Sequence, residues 1–374
     1  MSISIVIGAS FGDEGKGKVT NFLSKKKNSM VIRFNGGHQA GHTVVQNGVR
    51  HVFSSFGSGT LNGSPTFISK YCTIFPPAMM MEYEHLIAKG VYPVIYVDPL
   101  AMVTTPYDIA LNRYDETSRI NAHGSCGSGF GKTVERHETL EHSHRIFAKD
   151  LSNRWVLTQK LEMMQAIIPE EHRNVDINHY INKCIDCSAM FTLKTGHEVL
   201  ADKKTENFIF EGAQGVLLDR EHGIFPHVTR SHTTSANVFK MLTDFLVTGN
   251  DVKVHYLCRA YQTRHGNGPL LGDEYEVKLV NNENETNVTN PWQGVFRTAP
   301  LSLGLIKYAI DSDAAYHNMV GVQKELIISH LDQLEQIPIL NGDSSVYTTN
   351  RKGLIYFASE LLQIPIIAHD KETF

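Results

Sequence analysis

The first segment that indicates chemistry is a run of glycines that also contains acidic and basic side chains. It has the sequence GASFGDEGKGKVTNF (residues 8–22) and follows a short apolar run. Residues 12–18 match the first seven positions of the phosphate-loop pattern G-x-x-x-x-G-K-[ST]. Val19 occupies the last position, where that pattern requires a hydroxyl group to bind a metal. The segment is therefore a poor fit to an ordinary nucleotide switch.

The same segment still suits an anion. Backbone N–H groups at the start of a helix attract a phosphate, and Lys16 and Lys18 add positive charge beside them. Asp13 would repel that phosphate unless it bound Mg²⁺ or removed a proton from a substrate. The alternative is that Asp13 and Glu14 only cap the helix that follows.

A second polar segment, RFNGGHQAGHTVV (residues 33–45), carries His38 and His42 among glycines. The glycines disfavour a helix, so we predict a polar loop that follows a strand. Paired histidines near glycines are common, and this segment alone does not identify a function.

Alternating strands and helices are predicted to position these segments. ISIVIG (3–8) has the apolar run of a buried strand, and KVTNFLSKK (18–26) is predicted to be the helix that leaves the glycine turn. The other predicted elements are a helix in 75–90, strands in 91–98, 207–213 and 325–332, and a helix followed by a strand in 353–370. The pattern predicts one α/β domain, residues 1–374, around a mostly parallel sheet whose strand ends carry the ligand-binding turns.

Composition limits the classes of function. The chain has 35 Lys+Arg and 39 Asp+Glu, a formal net charge of −4, which argues against a general nucleic-acid-coating protein. No apolar run reaches membrane-spanning length and no signal peptide is recognised, so a reducing cytoplasm is expected. The 5 cysteines fit free thiols, and Cys184 and Cys187 have no second pair that would complete a zinc site.

Taken together, GDEGKGK and NGGHQAGHT at this spacing resemble the adenylosuccinate synthetase family of purine-nucleotide ligases. The resemblance covers most of the chain and thins in its last third. It continues in HGSCGSGFGK (123–132), FEGAQGVLLDREHGIFPHVT (210–229), YQTRHGNGP (261–269) and SHLD (329–332).

The resemblance implies a reaction that joins L-aspartate to carbon 6 of a 6-oxopurine nucleoside 5′-monophosphate. A nucleoside triphosphate phosphorylates the 6-oxygen, and the amino group of aspartate then displaces phosphate. Asp13 would take the purine N1 proton and contact Mg²⁺, with the Gly41 backbone as a further metal ligand. His42 would supply a proton or hydrogen bond to the transferring phosphoryl group, and Gln214 would bind the 6-oxygen edge.

The other residues implied by the resemblance are grouped by ligand. The triphosphate would contact Gly12, Gly15, Lys16, Gly17, Lys18 and Asp332. The monophosphate would contact Gln39, Ser125, Cys126, Arg136, Gln214 and Thr229. A homodimer is implied, in which one arginine, Arg136 or Arg145, reaches the partner's monophosphate. Arg297 would bind the aspartate. For each of these secondary residues the alternative is that it only stabilises a turn and binds no ligand.

Several positions depart from the family pattern around the monophosphate and the aspartate. Gln39 replaces an asparagine, and Ser125-Cys126 replaces a pair of threonines. The family's arginine-rich loop corresponds to NPWQGVFRT (290–298), in which only Arg297 remains.

The triphosphate end departs as well. The family's guanine-reading Thr-Lys-x-Asp becomes SHLD (329–332), so His330 replaces the lysine that packs under the base. The terminal Ser-Thr-Gly-Pro becomes AHD (368–370). These changes predict ATP or dATP as the phosphoryl donor in place of GTP.

The monophosphate substrate has two candidates. The short chain and altered pocket resemble the viral branch of the family, which makes a succinylated 2-aminoadenine precursor from dGMP in the host cytoplasm. Asp13 favours IMP, since some viral members lack this carboxylate. A regulator that binds nucleotides without ligating them is a third hypothesis. The missing arginines favour such a regulator, whereas Asp13, His42 and Gln214 favour an enzyme.

We expect Asp13→Ala and His42→Ala each to leave the fold intact and to lower turnover by at least about 10²-fold. The reason is that a positioned acid or base typically contributes about 10²–10⁴ in rate. Initial rates of succinyl-product formation measure the effect, with circular dichroism as the check on folding. Turnover at the wild-type rate in a folded variant would contradict the role of that residue.

Overall fold

The structure is a computed structural model of the chain, and it describes residues 1–118, 124–245, 247, 251–280, 292, 294–342 and 345–369. Five residues of the segments discussed above lie outside the described residues. They are His123, Asn290, Pro291, Gln293 and Asp370.

The β-strands of the described residues are numbered in chain order. They are β1 (Ser2–Gly8), β2 (Ser29–Arg33), β3 (His42–Gln46), β4 (Val49–Phe53), β5 (Thr66–Ile68), β6 (Thr73–Ile74), β7 (Ile95–Val97), β8 (Met102–Val103), β9 (Thr192–Leu193), β10 (Asn207–Gly215), β11 (Asp251–Arg259), β12 (Tyr261–His265), β13 (Phe296–Pro300), β14 (Gln323–Ser329), β15 (Ile337–Asn341), β16 (Ser345–Thr349) and β17 (Ile366–Ala368).

The α-helices are numbered in the same way. They are α1 (Lys16–Leu23), α2 (Pro76–Ala88), α3 (Pro106–Ser118), α4 (Phe130–Thr139), α5 (Arg154–Ile167), α6 (Ile177–Ser188), α7 (Gly196–Leu200), α8 (Ala236–Asp244), α9 (Leu303–Ala314) and α10 (Arg351–Leu362).

A nine-stranded sheet forms the centre of the fold, in the order β17-β14-β11-β1-β10-β2-β5-β7-β9. Each neighbouring pair in this order is parallel. Ile5 and Ile7 of β1 pack into the largest apolar cluster on one face, and Val6 packs with Val19 of α1 on the other. Burial on both faces explains the nearly continuous apolar sequence of β1. The predicted α/β class with a mostly parallel sheet is confirmed.

The parallel arrangement brings distant segments to one edge of the sheet. Gly8 at the end of β1 leads into the glycine loop, and Gln214 lies at the end of β10. β11 ends at Arg259, and β14 ends at Ser329, the first residue of the SHLD turn. Polar segments separated by hundreds of residues therefore meet where an open parallel sheet binds its ligands.

Several predicted boundaries differ from the structure. The helix predicted in 18–26 ends at Leu23, since Ser24 lies at its C-cap and its Oγ donates to the carbonyl of Asn21 at 2.8 Å. The strand predicted in 91–98 is confined to Ile95–Val97, because Pro93 has no N–H group to donate to a neighbouring strand.

The third difference concerns the predicted polar loop in 33–45. His42 begins strand β3 and pairs with Phe53 in an antiparallel hairpin. No helix of the described residues is long and apolar enough to span a membrane.

Candidate active site

A cleft of about 1110 Å³ lies at the carboxyl edge of the sheet. It is larger than the roughly 300–1,000 Å³ of a pocket for one drug-sized ligand, so it has room for more than one substrate. Most of the residues singled out in the sequence line it. They are Gly12, Asp13, Gly15, Lys16, Gly17, Lys18, Gln39, Gly41, His42, Ser125, Cys126, Gln214, Thr229 and Asp332.

The glycine loop is braced from inside by Glu14. The Glu14 carboxylate is fully buried, accepts hydrogen bonds from the backbone N–H groups of Ser10 and Gly12 at 3.2 and 2.9 Å, and pairs with Lys16 Nζ at 2.5 Å. Helix α1 has Gly15 at its N-cap and no side-chain capping bond. Glu14 therefore shapes the loop and does not cap the helix, which leaves the first turn of α1 to the cleft.

Asp13 is held in a strained conformation. Its φ of 62° lies in the left-handed region, which is uncommon for residues other than glycine. Arg259 Nε donates to the Asp13 carbonyl at 2.6 Å, and His265 Nε2 lies 3.4 Å from the Asp13 carboxylate. Burial on its own raises the pKa of Asp13, but the contact with His265 and the charges of Arg259 and Lys16 hold this pKa below its usual range. Asp13 is therefore ionised and able to accept a proton or ligate a cation.

His42 forms a buried pair with Glu211. His42 Nδ1 lies 2.6 Å from Glu211 Oε1, and Glu211 also accepts from the backbone N–H of Ser58 at 3.0 Å and from its hydroxyl. Although burial alone raises the pKa of Glu211, the His42 and Arg33 charges and the hydrogen bonds hold it at about 2. Burial lowers the pKa of His42.

This pair assigns the two ring nitrogens of His42. An ionised Glu211 can only accept, so the Nδ1–H of a neutral His42 donates to it. Nε2 is then the nitrogen that can exchange a proton with a bound ligand. The carboxylate would stabilise the imidazolium that forms, as in other carboxylate–histidine pairs.

Two amide side chains in the cleft have polar atoms without hydrogen-bond partners among the described residues. Gln214 has a φ of 63°, and its Oε1 is buried and unpaired. Both amide atoms of Gln39 are also buried and unpaired. Since buried polar groups are normally hydrogen-bonded, these amides are suited to a ligand.

The region predicted to bind the monophosphate is built from two loops. In the first, Asn112 Nδ2 donates to Ser125 Oγ at 2.7 Å, and Asn112 Oδ1 accepts from the backbone of Gly129, which precedes helix α4. In the second, the buried Asp219 carboxylate accepts the backbone N–H of Thr233 at 2.5 Å and closes the loop that carries Thr229. Both loops are therefore fixed by buried polar side chains.

The SHLD turn also forms part of the cleft wall. His330 has a φ of 58°, its Nδ1 is 2.8 Å from Ser329 Oγ, and its ring meets Tyr261 edge to face at 6.4 Å. Asp332 and His369 line the same region. The imidazole that replaces the family lysine is therefore part of the cleft wall.

Three arginines that the sequence assigned to ligands lie outside the lining of this chain's cleft. Arg136 is buried and donates to Asp108 and to the carbonyls of Val103 and His144, and it does not line the cleft. Because the Asp108 carboxylate already neutralises Arg136 and both hydrogens of its Nη2 have acceptors, the geometry gives no support to monophosphate binding by Arg136. Arg145 donates to the carbonyl of Leu140.

Arg297 was predicted to bind the aspartate. Its guanidinium pairs with Asp273 at 2.6 Å and donates to the carbonyls of Gly266 and Gly268, and it too lies outside the lining of the cleft. In this structure Arg297 is held in a turn by these contacts, and its role in aspartate binding stays a prediction.

The sequence analysis missed four residues that the structure places in or beside the cleft: Glu211, Arg259, Arg264 and His265. A weak signal existed for each. Glu211 is an acid within an apolar strand, and buried acids are rare unless paired. The other three lie within the short segment 259–265, which follows a buried strand.

The cleft contains oxygen donors at the predicted Mg²⁺ site. The described residues include no group of three or more His, Cys, Asp or Glu side chains that could hold a metal ion. Mg²⁺ does not require one, since it is commonly held by one or two carboxylates with substrate phosphates and water. Asp13 and the Gly41 carbonyl are hard oxygen donors in the cleft wall and fit such an ion.

A parallel α/β sheet with a glycine loop, a carboxylate and a buried histidine–glutamate pair at one edge is the architecture of a nucleotide-dependent enzyme. The sequence profile of the adenylosuccinate synthetase family matches residues 5–346. The chain belongs to the adenylosuccinate synthetase family. It is accordingly a ligase that forms a C–N bond, which argues against the hypothesis of a non-ligating regulator.

Individual relatives agree with this family. The adenylosuccinate synthetase of Chromohalobacter salexigens is 32% identical over 315 residues, which cover 76% of this chain and 69% of that protein. The adenylosuccinate synthetase of Neisseria meningitidis serogroup B is 33% identical over 310 residues, which cover 75% of this chain and 68% of that protein.

Two solved structures share the fold. The fully ligated adenylosuccinate synthetase from Plasmodium falciparum superposes with a TM-score of 0.78 at 17% identity, covering 98% of this chain and 96% of that chain. The succinoaminodeoxyadenylate synthetase of cyanophage S-2L, bound to dGMP and dATP as an energy donor, superposes with a TM-score of 0.64 at 18% identity. The match covers 96% of this chain and 99% of that chain.

We expect Glu211→Gln to lower turnover by about 10²-fold while the KM for the triphosphate changes little. The amide cannot stabilise an imidazolium at His42 as a carboxylate does, and acid–base groups contribute about 10²–10⁴ in rate. Steady-state kinetics measure the change.

Glu82→Gln is the matched control. Glu82 is also buried, accepts backbone N–H groups of Ser54 and Ser55, and lies 3.5 Å from His51, but it is outside the cleft. Equal losses of turnover in the two variants would mean that Glu211 acts only on stability.

Proposed function

We propose that this ligase joins L-aspartate to carbon 6 of dGMP and forms N6-succino-2-amino-2′-deoxyadenylate, with ATP or dATP as the phosphoryl donor. The observation that carries the ligase chemistry is the presence of Asp13 and the His42–Glu211 pair in one cleft. A base for the purine N1 proton and an acid for the phosphoryl group are what phosphorylation of a 6-oxopurine needs.

In the proposed reaction Asp13 accepts the N1 proton as the 6-oxygen becomes the nucleophile. Gln214 donates to or accepts from the 6-oxygen edge, and His42 Nε2 hydrogen-bonds the transferring phosphoryl group. Lys16, Lys18 and the first turn of α1 hold the triphosphate by charge and backbone N–H groups. When bound at Asp13 and Gly41, Mg²⁺ supplies neutralising charge for the phosphates.

Two features support dGMP. The Gln39 and Ser125-Cys126 positions that surround the monophosphate differ from the family pattern. The cyanophage S-2L enzyme, which shares the fold, was solved with dGMP and dATP. A pocket that pairs the 2-amino group of guanine would leave a buried acceptor unmatched with IMP, at a cost of about 1–3 kcal/mol.

IMP is the second candidate, and the curated relatives favour it. Both are adenylosuccinate synthetases at 32% and 33% identity, higher than the identity to the phage structure. IMP and dGMP share the 6-oxygen and N1 proton that Asp13 and Gln214 would engage, so the two substrates differ only at the 2-amino group and the 2′-hydroxyl.

The proposed enzyme is a homodimer, as the family resemblance implies. In this dimer an arginine of the partner subunit would bind the monophosphate. Of Arg136 and Arg145, we favour Arg145 for this role. Among the described residues, its guanidinium donates only to the carbonyl of Leu140.

We expect kcat/KM for dGMP to exceed that for IMP by at least about tenfold. This ratio corresponds to one unmatched buried polar group. The assay offers IMP, GMP and dGMP to the purified protein with Mg²⁺, aspartate and saturating ATP, and identifies the succinyl product by mass. Equal values or a preference for IMP would mean ordinary adenylosuccinate synthesis, and Asp13→Ala is the blank for background turnover.

We further expect ATP or dATP to support the reaction at least as well as GTP. His330 replaces the lysine that packs beneath guanine in the family, which removes one guanine contact. Competition between the triphosphates at a fixed dGMP concentration measures the preference. A GTP preference above about tenfold, roughly 1.4 kcal/mol, would contradict the inference from the SHLD turn.

A further inference from the structure

Arg264 is a buried arginine in the wall of the cleft. It lies at the end of strand β12, and only 4% of the residue is exposed. Its Nη1 donates to the carbonyl of Pro269 at 2.8 Å and its Nη2 to the carbonyl of His227 at 2.9 Å. The guanidinium lies over the ring of Phe11, 4.3 Å from the centroid. These contacts fix the orientation of the guanidinium.

Within the described part of the chain, no carboxylate forms an ion pair with Arg264. Its hydrogen bonds go to neutral carbonyls, its Nε is buried without a partner, and the charge that acts on it is the cation of Arg297. Burial and the Arg297 charge lower the pKa of Arg264 to about 10. A buried charge without a counter-ion is costly unless a ligand supplies one.

Two arginines that the sequence assigned to ligands show the contrast. Arg136 pairs with Asp108 at 2.9 Å, and the less buried Arg297 pairs with Asp273 at 2.6 Å. Both have their carboxylate within the chain, and neither lines the cleft. Arg264 lines the cleft and has no carboxylate partner among the residues that the structure describes, so its counter-ion is expected to come from a substrate.

The position of Arg264 favours the amino-acid substrate over a nucleotide phosphate. The next residue, His265, lies 3.4 Å from the Asp13 carboxylate, and Phe11 precedes Asp13 by two positions. Phe11, over whose ring the Arg264 guanidinium lies, connects Arg264 to the loop of Asp13, the residue proposed to deprotonate the purine at N1, beside the carbon that the amino acid must attack. The Nη2 bond to the His227 carbonyl also brings Arg264 near the loop of Thr229, so the monophosphate KM is measured beside the aspartate KM. A planar guanidinium also matches the two oxygens of a carboxylate.

We infer that Arg264 binds a carboxylate of L-aspartate and so takes the role that the sequence analysis gave to Arg297. The inference rests on the proposed ligase function, and it identifies how this site selects an acidic amino acid. Nη1 and Nη2 of Arg264 each carry two hydrogens, and each nitrogen uses one of them to donate to a carbonyl. The second hydrogen of each nitrogen is left for the ligand.

The test compares Arg264→Gln with Arg264→Lys by steady-state kinetics. In Arg264→Gln we expect the KM for aspartate to rise about 10- to 200-fold, the effect of losing a charge-assisted hydrogen bond, with the KM values for both nucleotides within about threefold of wild type. Arg264→Lys retains the charge without the planar fork, so a smaller rise is expected. The lysine variant also decides the question if the glutamine variant does not fold.

Arg173→Gln is the matched control. Arg173 donates to the carbonyls of Ile168 and Ala166 in the same way, but it lies outside the lining of the cleft, and its loss is expected to leave the KM for aspartate unchanged. Isotope scrambling in γ-¹⁸O-labelled triphosphate without aspartate is expected to continue in Arg264→Gln, because phosphorylation of the purine does not need the amino acid.

Three results would overturn the inference. They are an unchanged aspartate KM in folded Arg264→Gln, a rise in the monophosphate KM in place of the aspartate KM, and equal effects in Arg264→Gln and Arg173→Gln. If the wild-type protein formed no succinyl product with any nucleotide pair, the proposed function would fail separately. Calorimetric binding of aspartate to wild type and to Arg264→Gln would then decide the role of Arg264, with loss of binding in the variant as the supporting result.

Discussion

The burial of one carboxylate, Glu211, is the constraint on which the catalytic edge of this molecule depends. Glu211 lies in a strand that is buried on both faces, directly beside Arg33 of the neighbouring strand. An ionised group there must find donors within the protein, and it finds them in His42 and Ser58. The hairpin that begins at His42 and the turn that contains Ser58 are thereby fixed to the end of the sheet.

Close packing strengthens the same arrangement. A Cβ atom on Gly17 would lie 2.7 Å from the Cβ of His42 and 2.9 Å from Ser58 Oγ, so only glycine allows helix α1 to approach the histidine this closely. The helix whose first turn is proposed to hold the triphosphate is thus in direct contact with the proposed acid. A change at the phosphate loop would be transmitted to His42 through atoms in contact.

Three residues other than glycine adopt left-handed backbone conformations where strands end at the cleft. Asp13, Gln214 and His330 have φ values of 62°, 63° and 58°. Such conformations cost free energy and persist where the surrounding structure enforces them, which is common at functional sites. Here they orient one side chain each in the parts of the cleft proposed to bind the purine and the triphosphate base.

The sequence by itself determined the family and the α/β class, and most of the site residues that it predicted line the cleft. It could do so because the glycine loop and the histidine loop are local patterns whose spacing is set by the backbone turns they form. Strand order and the pairing of Glu211 with His42, 169 residues apart in the chain, came only from the tertiary structure.

The two arginines show the physical reason most clearly. Arg297 is the arginine to which the sequence assigned the aspartate, but Asp273 neutralises it. Arg264 lies in a segment that also resembles the family, yet the sequence assigned it no ligand, and it lacks an ion-pair partner among the described residues. Whether a charge is compensated depends on which carboxylates the folded chain brings within a few ångströms of it. Sequence fixes the residue types, and only the packed structure decides which charges remain for a ligand.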